Sequence, residues 1–122
     1  MKKAILFLIF GLLFISACSN PSQINAIDGD GEIKEFKMMA KQFKFSPEKI
    51  EVNKGDKVRL IVASADVPHG ISIPEYGINE RLNPGEPVTI EFTADKQGTF
   101  TAFCSVFCGS GHGNMKGQII VR

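Results

Sequence analysis

Residues 43–62 read FKFSPEKIEVNKGDKVRLIV, and three short runs of alternating character stand out in them. Phe43 and Phe45 flank Lys44; Ile50 and Val52 flank Glu51; Val58, Leu60 and Val62 alternate with Arg59 and Ile61. An apolar side chain at every second position turns one face of an extended chain to a core and the other to water, so each run predicts a strand. Ser46-Pro47 and Asn53-Lys54-Gly55-Asp56 separate the runs with turn-forming residues. The alternation returns at Val88, Ile90 and Phe92, at Phe100, Ala102 and Cys104, and at Ile119 and Val121. Asn83-Pro84-Gly85 and Asp95-Lys96-Gln97-Gly98 supply further turns. Seven or eight short strands without a helix of useful length imply an all-β domain, a Greek-key sandwich or barrel over residues 32–122.

The remaining residues behave differently. Lys2 and Lys3 precede an apolar run from Ala4 to Ala17 in which Ser16 is the one polar side chain, too short for a spanning helix and suited to a signal peptide over residues 1–17. Ile15-Ser16-Ala17-Cys18 resembles the lipobox of bacterial lipoproteins. That resemblance implies cleavage before Cys18, lipidation of its sulfur and an exported protein held on a membrane face through acyl chains. Residues 18–31, rich in Ser, Asn, Gln, Gly and Asp, read as a lipidated terminus and flexible tether. Without Lys2 and Lys3 the 14 basic residues fall to 12 against 13 acids, a balance that gives no footprint for nucleic acid.

The chemistry concentrates in Cys104-Ser-Val-Phe-Cys108-Gly-Ser-Gly-His112-Gly-Asn-Met115, joined by His69 in Asp66-Val67-Pro68-His69-Gly70. Thiolates, imidazoles and a thioether are a donor set that suits copper. Three other readings use the same residues. Two cysteines in an oxidising compartment form a disulfide by default; two Cys and two His can hold zinc in a tetrahedron; and His69, His112 and Met115 taken singly fit a turn, a surface and a core. A disulfide leaves His112 and Met115 unexplained, and zinc leaves Met115 without a role.

The spacing C-x3-C-x3-H-x2-M, with a histidine 35 residues upstream, resembles the binuclear copper (CuA) centre of cytochrome oxidase subunit II, shared with nitrous oxide reductase. The similarity extends through Lys54-Gly55-Asp56-Lys57-Val58 and Asn83-Pro84-Gly85-Glu86. It implies a cupredoxin fold and two copper ions bridged by Cys104 and Cys108. His69 and His112 would each bind one ion, with Met115 and the Val106 carbonyl as weak ligands. Apolar Phe103, Phe107 and Ile71 would limit water around the centre.

Three departures accompany the resemblance. Val106 stands where the large oxidase subunits carry Glu; there is no Trp to serve as an electron-entry aromatic; and the anchor that the lipobox resemblance implies would take the place of the family's transmembrane hairpin. The reading that follows is a lipid-anchored electron carrier, fed by a redox protein such as a c-type cytochrome. A heme-copper oxidase catalytic subunit is the expected partner, and the domain alone performs no catalysis. A copper-trafficking protein and a metal-free, disulfide-bonded binding module are the competing readings.

Overall fold

The computed structural model describes residues 33–122, so the expected signal peptide (1–17), Cys18 and the tether to residue 31 lie outside the described residues. Nine strands follow in order: β1 (Ile33–Lys41), β2 (Lys44–Ser46), β3 (Lys49–Val52), β4 (Lys57–Ser64), β5 (His69–Ile73), β6 (Ile78–Leu82), β7 (Val88–Thr93), β8 (Gly98–Phe103) and β9 (Lys116–Val121). Only two single turns of 3-10 helix, Pro74–Tyr76 and His112–Asn114, interrupt them among the described residues. The described residues are thus all-β, with slightly more strands than the alternation alone resolves.

The strands form two sheets, a four-stranded one in the order β2-β1-β4-β7 and a five-stranded one in the order β3-β9-β8-β5-β6. β1 runs parallel to β4 and β3 parallel to β9; the other pairs are antiparallel. β4 shows why the sequence pattern works. Its Val58, Leu60, Val62 and Ser64 are buried while the intervening residues are half-exposed, so one face enters the core. Leu60 and Val62 there share one buried cluster with Phe45, Ile71, Leu82 and Ile119. Truncating such a side chain to Ala costs about 2–5 kcal/mol through lost transfer energy and the cavity left behind.

β5 departs from the rule. All five of its residues are buried, and Pro68-His69-Gly70, expected as a turn, instead begins a strand at His69. β6 and β8 flank it within the sheet, and the segment after β8 crosses close to it. A Cβ on Gly70 would collide with the Ser105 side chain and lie 3.0 Å from the Val106 amide nitrogen. Glycine therefore permits the loop carrying Cys104 and Cys108 to close on the start of β5.

Candidate metal centre

Cys104 immediately follows β8 and Met115 immediately precedes β9, so two adjacent antiparallel strands hold both ends of the intervening loop. The Cys104 amide donates to the Met115 carbonyl at 3.1 Å and closes its base. Within the loop, the amides of His112, Asn114 and Met115 donate to the carbonyls of Gly109, Gly111 and His112 at 3.0–3.1 Å, which forms a single tight turn. Gly109 adopts φ +138°, a conformation side chains disfavour, and the ring of Phe43 occupies the space a Cβ would need.

These constraints gather the donor atoms. The Cys104 and Cys108 sulfurs lie 3.7 Å apart, buried and without a disulfide. Nδ1 of His69 lies 3.9 Å from the Cys104 sulfur, and Nδ1 of His112 lies 3.8 Å from the Cys108 sulfur. Sδ of Met115 lies 3.9 Å from the Cys108 sulfur, and the Cys104 thiol is directed at the Val106 carbonyl at 3.1 Å. All six residues expected at the centre therefore meet at one end of the sandwich. His69, Cys104 and Cys108 form the compact group, with ligand atoms within 4.8 Å of one another. His112 joins from the Cys108 side only.

Burial within the set is uneven. His69 and Met115 are wholly buried, both cysteines nearly so, and His112 and Val106 are half-exposed. Ile71 is buried as expected, but Phe107 is 78% exposed and Phe103 36%, so neither encloses the centre. Phe107 instead lies outside the loop, its ring 5.7 Å from that of His112. The reason is local: Cys104 and Cys108 turn inward, so the residue before each, Phe103 at the end of β8 and Phe107 in the loop, turns out.

Burial pushes the Cys108 thiol up to about 11, and the adjacent Cys104 adds to this. A positive ion reverses that balance by stabilising the thiolates. Asp66 stands behind the cluster, its Oδ1 2.7 Å from Nε2 of His69. Burial raises its carboxyl, but hydrogen bonds from the Gln42 amide, the His69 ring and the Val67 amide outweigh this and hold it at about 2. The carboxylate thus fixes the imidazole and leaves Nδ1 toward Cys104. A Gln42 side-chain hydrogen bond to the Cys108 carbonyl, at 2.6 Å, completes the surroundings. No sequence spacing announced that contact.

The fold and the site define a class: the chain belongs to the cupredoxin-like domain family, whose profile matches residues 4–121. More narrowly, it is a homologue of subunit 2 of cytochrome c oxidase. It is 32% identical over 104 residues to that subunit from Thermus thermophilus, covering 85% of this chain and 76% of the relative. It is also 32% identical over 113 residues to nitrous-oxide reductase from Ralstonia nicotianae, covering 89% of this chain but 17% of that enzyme. Among solved structures, a heme-copper terminal oxidase dimer aligns at TM-score 0.68 and 29% identity, over 73% of this chain and 65% of that one.

Proposed function

We propose that this chain is a binuclear copper electron-transfer domain, the electron-entry subunit of a small heme-copper oxidase or a free-standing carrier. One observation carries the reading: two free, buried cysteine sulfurs 3.7 Å apart, with a different imidazole beside each. Thiolate bonds to a borderline metal are about 2.3 Å and imidazole bonds about 2.0 Å, so each of these gaps can be spanned by one ion. The division of the histidines favours two ions over one. A single tetrahedral zinc needs all four donors around one point, whereas His112 stands outside the compact group of His69, Cys104 and Cys108.

Cys104 and Cys108 are the proposed bridging ligands, and His69 and His112 the terminal ones. Met115 and the Val106 carbonyl supply weaker donors. A copper pair bound there would provide a reversible one-electron couple. The protein's part is to keep the donors still. The loop is hydrogen-bonded at its base and within its turn, and Asp66 fixes His69. Buried Ile71 and Met115 exclude water on the inner side, while His112 and Phe107 present the outer side to a partner. With every donor supplied by the chain, the centre passes electrons and does not transform a substrate.

The kinship with oxidase subunit 2 supports a c-type cytochrome as donor and a heme-copper catalytic subunit as acceptor. The lipobox-like sequence supports export and attachment of Cys18 to a membrane face. Complete burial of His69 and Met115 argues against copper trafficking, which requires ligands that an incoming site can displace. Copper counting and EPR of the loaded domain test the reading. Two coppers per chain sharing one unpaired electron are expected; one zinc and no copper would overturn it.

A further inference from the structure

Gln42 lies in the turn between β1 and β2 and contributes no donor to the cluster, yet two of its groups reach toward it. Its side-chain Nε2 donates to the Cys108 carbonyl at 2.6 Å. Its backbone N–H donates to Oδ2 of Asp66 at 2.9 Å, and Oδ1 of the same carboxylate meets the His69 ring. One residue therefore holds the peptide of Cys108 and, through Asp66, the imidazole beside Cys104.

Strand pairing does not require these contacts. The β1–β2 ladder ends at Lys41 opposite Lys44, and the Gln42 side chain lies beyond it. The neighbouring Phe43 presses the same turn against the metal loop, since its ring fills the space that Cβ atoms on Gly109 and Gly111 would occupy. Shape brings turn and loop together, while the Gln42 amide selects which carbonyl of the loop is held.

We propose that Gln42 is a positioning residue of the metal centre, tying the His69 side and the Cys108 side into one frame. The inference rests on the copper reading above. Holding the Cys108 carbonyl fixes the backbone torsion that aims its sulfur between Cys104 and His112. The donated hydrogen also offsets the negative end of that carbonyl near the thiolate pair. Loss of the donor should loosen the Cys108 and His112 side first, because the backbone N–H to Asp66 survives any side-chain change.

The test compares the full chain with Gln42→Met, which has similar length and no donor, and Gln42→Glu, which keeps the shape and places an acceptor at the carbonyl. In the metal-free protein, imidazole NMR signals of His112 should move more than those of His69. In the copper-loaded protein, affinity measured in competition with a copper chelator should fall about tenfold, the scale for losing a partner that orients a ligand. The reduction potential should fall, and the gain in Tm on copper loading should shrink. If both variants lower the Tm of free and loaded protein equally, with ring signals and potential unchanged, Gln42 merely stabilises the hairpin and the proposal is overturned. A wild-type chain that takes up no copper would sink the functional reading instead, and the ring signals of the metal-free variants would then judge Gln42 alone.

Discussion

Asp66 and His69 face each other across 2.7 Å, a carboxylate oxygen against Nε2, so the other ring nitrogen is the one turned to Cys104. A ring so held cannot rotate without breaking a contact in the buried interior. Asp66→Ala should therefore weaken copper retention about 10–100-fold while the ligands themselves remain. Competition against a copper chelator measures this, and retention equal to wild type would show that the imidazole needs no support.

Removal of His69 itself should act differently. β5 pairs with β6 through its backbone, so His69→Ala should still fold, at the stability cost of the cavity left by the buried ring, but the Cys104 side would lose its strong terminal donor. The shared one-electron signal should collapse toward a localised copper. An unchanged binuclear spectrum in the folded variant would exclude His69 as a ligand.

The two sulfur types should separate cleanly. Cys104→Ser or Cys108→Ser removes a bridging thiolate and should abolish the paired centre. Met115→Leu keeps an apolar side chain of similar volume in a wholly buried position and should retain both coppers with a shifted potential. Copper counting and voltammetry decide, and a paired centre surviving in both serine variants would refute the assignment.

Alkaline pH offers a test of the opposite end of the sandwich. Tyr76 packs on Phe92 and Phe100 with ring centroids 4.6 and 5.4 Å away, and its hydroxyl donates to the Lys96 carbonyl at 3.2 Å. Burial raises its phenol above the usual value; the Lys96 backbone contact offsets part of this, and the charges of Asp95 and Glu75 add to the rise. A raised value in the folded state means the neutral phenol is favoured there. Its stabilisation is full below pH ~10, the unfolded value, and is lost as pH rises through the folded value. Tyr76→Phe should flatten that decline in denaturation midpoints, at a cost of about 1 kcal/mol for the lost hydrogen bond. An identical alkaline decline in the variant would assign the effect elsewhere.

The anchor is testable apart from the metal. Mass spectrometry of the native N-terminal peptide should find cleavage before Cys18 and an added lipid, absent in Cys18→Ala. An unmodified mature terminus would remove the lipoprotein reading and leave the copper reading intact.

What the sequence disclosed follows from which interactions leave a periodic trace. β4 and β7 each bury one face, so Val58-Leu60-Val62 and Val88-Ile90-Phe92 announced themselves. β5 is buried on both faces, which erases the alternation and made His69 look like part of a turn. The donor residues were legible because soft ligands are few and four fall within one loop. Phe107 misled because an aromatic between two inward cysteines reads as core, while the loop turns it outward. Gln42 left no trace at all, since its partner Cys108 lies 66 residues away and the contact uses a main-chain oxygen that every residue possesses.

β9 couples an edge of the molecule to its metal loop. Among the described residues β3 pairs only with β9 in the five-stranded sheet, and β9, through its ladder with β8, also anchors the far end of the loop that carries Cys108, His112 and Met115. The same short strand thus serves the sheet margin and the donor set, so a change that frays that margin, well away from any ligand, should be felt in how firmly the metal is kept.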